Sequence, residues 1–295
     1  MSEHPEEIGR KPEELLETGQ KSSAEILKAH FVSETIEAGV NPIEMRFSEI
    51  FSAFTDQPAA YRSFTYLNSA VTGQTGPDEY GTGTDRTAEG IRLAKWNITH
   101  ALRYARMMEL EGVETSYITA RCPSEFCLGE DLYDAVKALL TEQGLPPETL
   151  CLEFPVSLLK RRKKSEQELI RKSILDMKLL KVRTIVSGIG RAEISPELLY
   201  EMPVDAFLLD PAITAMSDSR SKGASVAGLV NFLKSFSAEV IADGVYRDKQ
   251  VESLGRCECR SFLLSSGYQG KIRHGGLRMT FKEAVEKRKE QPEDN

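Results

Sequence analysis

The feature that most constrains this chain is a series of short apolar runs separated by helical stretches. Eight runs have strand-like character: "IEMRFSEIF", "YRSFTYLN", "TSYITA", "TLCLEF", "RTIVSGI", "AFLLD", "EVIAD" and "SFLLSS". The last six are separated mostly by segments with helical spacing, such as Glu130–Gln143 and Glu166–Lys181. Strands that alternate with helices predict parallel βαβ units, and nearly unbroken apolar runs predict strands that are buried on both faces.

The first two runs are connected differently from the rest. Only the segment "SAFTDQPAA" joins them, and it is too short for a crossover helix. They are therefore expected to pair antiparallel. Eight strands with an antiparallel start predict an α/β fold, a modified TIM (β/α)8 barrel. In such barrels the functional groups lie at the carboxyl ends of the strands.

The composition excludes several classes of function. A net charge of -7 argues against a nucleic-acid binder, because contacts to phosphates need a basic surface. No stretch approaches the roughly 18 unbroken apolar residues of a membrane span. An odd count of five cysteines favours a reducing cytoplasm. The pairs Cys122/Cys127 and Cys257/Cys259 could together hold a metal, but neither has C-x-x-C spacing, so structural thiols are the favoured interpretation.

The two ends of the chain differ from its middle. Residues 1–22 form a charged, acidic segment that is predicted to be disordered. Residues 23–42 are predicted to contain an N-terminal helix that follows a serine cap. The barrel is assigned to residues 43–285, and residues 286–295 are predicted to form a disordered tail.

The stretch "VRTIVSGIGRA" (182–192) allows two interpretations. In the first, its glycines form a phosphate-binding loop and Arg191 adds positive charge. In the second, it is a tight turn between a strand and a helix. No G-x-x-x-x-G-K-[ST] pattern is present, and the next helix begins only near Ser195, so the tight turn is favoured. The basic run "KRRKK" (160–164) is likewise read as either a phosphate or acidic-partner contact or, by preference, a solvated loop.

Three stretches carry a resemblance to a known family. "LCLEFPVS", "LKVRTIVSGIGRAEISPELLYEMPVDAFLLD" and "AEVIADGVYRDKQVESLG" resemble, in order and interval, the EAL-type cyclic di-GMP phosphodiesterase domain of bacteria. The resemblance extends from about residue 43 to about residue 280 and implies a barrel with an antiparallel first strand. Members of that family hydrolyse a phosphodiester with two divalent metals, which carboxylates and an asparagine hold at strand ends.

The resemblance also implies that most of these ligands are replaced here. The positions that depart from the family pattern are Arg62, Tyr117, Ser187, Gly188, Leu208 and Ser261. Glu153 and Asp243 remain acidic, which is too few for a two-metal centre. One weakly held Mg2+ or Mn2+ is one interpretation of the two carboxylates. The favoured one is an ion pair between Glu153 and Arg62 in place of a metal.

From this comparison we expect a catalytically inactive EAL-like domain without a cofactor, in the cytoplasm. It would act as a regulatory module by binding another protein or a second copy of itself. The first alternative is a cyclic di-GMP receptor that does not hydrolyse its ligand and binds it through Arg62, Glu153, Arg191 and Asp243. The weaker alternative is residual phosphodiesterase activity through Glu153 and Asp243 with Mg2+ or Mn2+.

Overall fold

The computed structural model describes residues 43–53, 58–69, 73–77, 79–80, 87–129, 131–159, 163–191, 195–271 and 278–290. The segments predicted at residues 1–22 and 23–42 lie outside these ranges, as do residues 160–162 of the basic run. The described strands are β1 (Ile43–Ser52), β2 (Pro58–Ser69), β3 (Gly73–Thr75), β4 (Ile118–Arg121), β5 (Leu150–Pro155), β6 (Arg183–Ile189), β7 (Ala206–Leu209), β8 (Glu239–Val245) and β9 (Ser261–Leu264).

The strands form a closed barrel. Their order is β1-β9-β8-β7-β6-β5-β4-β2-β3, and a further pairing of β1 with β2 closes a ring of eight strands. β1 is antiparallel to both β2 and β9, whereas the pairs from β2–β4 round to β8–β9 are parallel. The predicted modified TIM barrel with an antiparallel first strand is therefore confirmed. The short β3, which the sequence did not predict, extends the sheet beyond β2.

Helices follow the parallel strands along the described chain. They are α1 (Ala88–Leu110), α2 (Ser124–Leu128), α3 (Leu132–Gln143), α4 (Lys164–Leu179), α5 (Pro196–Glu201), α6 (Pro211–Thr214), α7 (Gly223–Lys234), α8 (Asp248–Arg256) and α9 (Phe281–Glu290). Within the described ranges, no helix is long and apolar enough to cross a membrane.

The last helix extends beyond residue 286, where the sequence predicted the start of a disordered tail. Helix α9 continues to Glu290 and is anchored to the rest of the molecule at its start and in its second half. Lys287 forms an ion pair with Glu49, whose side chain is only 2% exposed, and Phe281 stacks on Tyr104 of α1. Residues 291–295 lie outside the described part of the chain.

Alternating side chains of the strands fill two apolar layers. One set, which includes Phe154 of β5, packs outward against the helices. The other set, which includes Cys151 of β5, fills the interior of the barrel and forms an apolar plug there. Because side chains alternate along a strand, Glu153 points inward like Cys151, one step closer to the carboxyl end of β5. The sheet geometry thus decides which residues reach the mouth of the barrel.

Candidate functional site

Polar side chains from three strands meet directly above the apolar plug. Ala60, Cys151 and Ile241 belong to the plug. Arg62, Glu153 and Asp243 each lie two residues further along the same strands, β2, β5 and β8, and so point into the mouth of the barrel. The folding of the strands brings these three residues together, although Glu153 and Asp243 lie 91 and 181 positions after Arg62 in the sequence.

Arg62 joins the two carboxylates. Its Nε donates to Glu153 Oε2 at 2.9 Å and its Nη2 donates to Glu153 Oε1 at 2.7 Å. Its Nη1 donates to Asp243 Oδ2 at 2.5 Å. The predicted ion pair between Arg62 and Glu153 is confirmed, and its two-pronged geometry is the strong form of an arginine–carboxylate contact. The second arm, to Asp243, was not predicted from the sequence.

Burial and the neighbouring charges compete in setting the pKa values of the three groups, and the outcome differs from group to group. Burial alone would lower the pKa of Arg62, but the charges of Glu153 and Asp243 raise it. Burial opposes ionisation of Glu153 as well, but Arg62 and a hydrogen bond from Ser187 hold the Glu153 pKa below its usual range. For Asp243, burial outweighs the attraction of Arg62 and raises the pKa. Asp243 is therefore the carboxyl of the cluster that accepts a proton most readily.

The stretch "VSGIGR" (186–191) ends β6 in a tight turn. Gly188 and Gly190 have φ values of +78° and +95°, which favour glycine. The backbone N–H of Arg191 donates to the carbonyl of Gly188 at 3.0 Å, so the turn closes on itself. Ser195 caps the following helix, as predicted, by accepting from the Leu198 N–H. These contacts favour the tight-turn interpretation over a phosphate loop.

A cavity of about 1180 Å³ opens above the cluster. Among its described lining residues, five arginines face three carboxylates. The arginines are Arg46, Arg62, Arg121, Arg191 and Arg278, and the carboxylates are Glu153, Asp210 and Asp243. Ser187, Gly188 and Leu208 also lie in the wall. The excess of positive charge means that the cavity attracts anions.

Arginine and aromatic side chains alternate along one side of the cavity. Arg62 and Arg278 lie over the ring of Phe64, at 4.9 Å and 4.1 Å from its centroid. Arg278 Nη1 donates to the hydroxyl of Tyr66, and Arg46 lies over the Tyr66 ring at 5.1 Å. We call these five residues the arginine–aromatic ladder. Contacts of this kind fix guanidinium planes without removing their charge.

Two residues that the sequence assigned to the site lie elsewhere. Tyr117 belongs to the apolar plug, where the guanidinium of Arg183 lies 4.6 Å from its ring centroid. Ser261 begins β9 and donates to Glu239 at the amino-terminal end of β8. Both assignments are wrong for a physical reason. The parallel strands β4 and β9 reach the mouth with their carboxyl ends, and these two residues precede those ends.

The residues that sequence reasoning missed are arginines. Arg121 is the last residue of β4, lies in register with Glu153 and lines the cavity. Its position at the end of the run "TSYITA" could have revealed it. Arg46 is on β1 and Arg278 precedes the residue that bridges to β1. No local pattern marks Arg278, because the contact that brings it to the mouth is a long-range one.

The residues present do not fit a two-metal centre. The guanidinium of Arg62 lies between Glu153 and Asp243, within hydrogen-bond distance of both. A divalent cation at these carboxylates would meet a fixed positive charge. Across the described ranges, no group of three His, Cys, Asp or Glu side chains is placed to hold a metal. All five cysteines are buried free thiols, with the Sγ atoms of Cys122 and Cys127 3.5 Å apart.

Comparisons with known proteins agree with this architecture. The EAL domain family model matches residues 33–263. A curated protein of Azorhizobium caulinodans, described as uncharacterized, is 18% identical over 247 residues, and the match covers 81% of this chain and 33% of that protein. The chain thus spans about a third of the length of this relative.

Solved structures share the fold at low sequence identity. The EAL enzyme Bd1971, in the form bound to cAMP and cyclic di-GMP, superposes with a TM-score of 0.77 at 14% identity, covering 93% of this chain and 71% of that chain. The PaMucR phosphodiesterase in complex with cyclic di-GMP gives a TM-score of 0.69 at 18% identity, with coverages of 80% and 94%. With most of its length matched by the family model and its barrel shared with these structures, the chain belongs to the EAL domain family.

Proposed function

We propose that this chain is a non-hydrolysing EAL domain that acts as a regulatory module in cyclic di-GMP signalling. The observation that carries the proposal is the Arg62 guanidinium between Glu153 and Asp243. Hydrolysis by two metals requires carboxylates that are available to cations, because the metals clamp the attacking and leaving oxygens. Here both carboxylates are hydrogen-bonded to a cation that belongs to the chain.

The chemistry of arginine makes this arrangement hard to reverse. Arginine stays protonated at any physiological pH, and here the neighbouring carboxylates raise its pKa further. Its side chain is 14% exposed and contacts both carboxylates and the Phe64 ring. A metal would have to displace a charged group that has no other described carboxylate partner. We therefore assign to Arg62 the role of a permanent internal cation.

The regulatory output is proposed to pass through contact with another protein or a second copy of the chain, in the cytoplasm. Exposed aromatic side chains support a contact surface. Tyr200 of α5 is 75% exposed and packs edge-on against Phe236, which also contacts Phe232 of α7. An unchanged monomer mass in light scattering across the micromolar range, together with no partner captured, would count against this part of the proposal.

A second candidate function is favoured by the cavity. A space of about 1180 Å³ with five arginines in its described lining suits a large anionic ligand. Two of the structures that share the fold are described as bound to cyclic di-GMP. The candidate is a receptor that binds this nucleotide without hydrolysing it.

Turnover and binding measurements separate these functions. Purified protein is incubated with cyclic di-GMP and Mg2+ or Mn2+, and the linear product is followed by chromatography, with Glu153→Gln as the control. We expect no product from either protein. Metal-dependent turnover that the substitution abolishes would overturn the proposal. Calorimetric titration in EDTA then tests the receptor function. Binding without metal supports that function, whereas the absence of any binding heat leaves protein interaction as the only proposed function.

A further inference from the structure

We infer that Arg278 is a phosphate-recognition residue of the cavity and serves a phosphodiester-linked nucleotide without the help of a metal. The inference rests on the proposed receptor function and deepens it by naming a residue that binds the phosphate group of the ligand. It depends on three properties of Arg278, which are its fixed orientation, its lack of a carboxylate partner among the described residues and its place in the cavity wall.

The orientation of Arg278 is fixed from two sides. Its guanidinium lies 4.1 Å from the centroid of the Phe64 ring, and its Nη1 donates to the Tyr66 hydroxyl. Its backbone is held by the next residue, since Met279 and Phe47 exchange hydrogen bonds at 2.7 and 2.8 Å. A guanidinium held in this way loses little conformational entropy when it binds an anion.

The charge of Arg278 is not taken up by a described carboxylate. Arg46 pairs with Glu44, and Arg62 pairs with Glu153 and Asp243. Within the part of the chain that the structure describes, Arg278 forms no such ion pair, and its side chain is exposed at the mouth. One donor goes to Tyr66, which leaves the rest of the planar fork for a ligand in the cavity.

The chemistry of the site selects a phosphate on a large ligand. A guanidinium presents two parallel N–H groups that match two oxygens of a phosphate. The cavity of about 1180 Å³ slightly exceeds the usual range of about 300–1,000 Å³ for small-molecule sites, so it has room for more than a lone phosphate ion. Asp210 and Asp243 line the same cavity, and their negative charge favours a singly charged phosphodiester over a doubly charged terminal phosphate.

Calorimetric titration in EDTA tests the inference. Cyclic di-GMP is the probe, and guanosine is the matched compound without a phosphate. The variants are Arg278→Ala, Arg278→Lys and Tyr66→Phe, and Arg256→Ala is the control because Arg256 is 76% exposed on α8 and pairs only weakly with Glu252. Thermal unfolding of each variant checks that the fold is retained.

We expect Arg278→Ala to weaken binding of cyclic di-GMP by about 10- to 100-fold, as the loss of a charged hydrogen-bonding group predicts. Arg278→Lys should recover only part of the affinity, since lysine lacks the fork, and Tyr66→Phe should cost about 3- to 10-fold. Binding that is equal in wild type and Arg278→Ala overturns the inference, and so does binding that is absent in EDTA and appears when Mg2+ replaces the EDTA. Metal-dependent turnover with affinity still sensitive to Arg278 would instead overturn only the non-hydrolysing function.

Discussion

The guanidinium of Arg62 donates two parallel hydrogen bonds to the carboxylate of Glu153, from Nε to Oε2 at 2.9 Å and from Nη2 to Oε1 at 2.7 Å. The pair links β2 to β5 across the mouth of the barrel, and Asp243 extends it to β8. A site that resembles a metal centre in sequence is thus occupied by a cation of the chain itself. The same contact carries structural and functional consequences.

Removing the arginine should destabilise the barrel. Arg62→Ala leaves Glu153 and Asp243 buried without their partner, and breaking a buried ion pair from one side costs about 3–5 kcal/mol. Chemical denaturation at pH 7 measures the loss in the free energy of unfolding. Arg256→Ala is the matched control, because its exposed contact to Glu252 at 4.0 Å should be worth less than about 1 kcal/mol. Similar losses in the two variants would contradict the buried-pair interpretation.

The two carboxyls should give opposite pH dependences. Glu153 has a lowered pKa, so its stabilisation is present above its unfolded pKa of about 4.3 and is lost as the pH falls through the folded value. Asp243 has a raised pKa, so the stability linked to its protonation is present below its unfolded pKa of about 3.9 and is lost as the pH rises through the folded value.

Two variants test these signs through unfolding curves between about pH 3 and pH 7. Relative to wild type, Glu153→Gln should become less stable as the pH rises, because only wild type gains the stabilising charge. Asp243→Asn should become more stable relative to wild type over the same rise, because only wild type loses the favourable proton. Parallel trends in the two variants would refute the assigned directions.

The sequence predicted the barrel because strand and helix periods are local properties. The eight strand runs and the antiparallel start follow from alternation and from the short first connection. The pairing of Arg62 with Glu153 was predicted from the resemblance to EAL domains, whose motif positions these two residues occupy. Tyr117 and Ser261 were misplaced because the family pattern was matched along the chain, whereas depth in the barrel depends on how far each strand extends.

The cavity itself could not be read from the sequence. The arginine–aromatic ladder combines β1, β2 and Arg278, which precedes α9, so its members meet only after the barrel has closed. The same is true of the arm from Arg62 to Asp243, which spans 181 residues. Long-range contacts of single side chains leave no periodic signal, in contrast to buried strands.

The turn after β6 should not tolerate a side chain at Gly190. A Cβ there would lie 2.2 Å from Ile213 Cγ1, and the φ of +95° is unfavourable for other residues. Gly190→Ala should therefore cost more than about 2 kcal/mol of unfolding free energy, whereas Gly255→Ala in α8, where a Cβ meets nothing within 4 Å, should be neutral or stabilising by up to about 1 kcal/mol. Equal effects in the two variants would argue against the close packing of the turn on α6.

Exchanging the internal cation for a carboxylate should create a site for a divalent metal. Arg62→Glu would place a third carboxylate beside Glu153 and Asp243, and oxygen ligands of this kind suit Mg2+ and Mn2+. Without metal, the variant should be less stable than wild type because like charges meet. In thermal unfolding, its Tm should rise steadily with Mn2+ concentration, because the metal binds the folded state and not the unfolded one. Wild type and Arg62→Gln, which carries no added charge, should show little shift. A Tm increase in wild type as large as in Arg62→Glu would mean that Arg62 does not exclude metal.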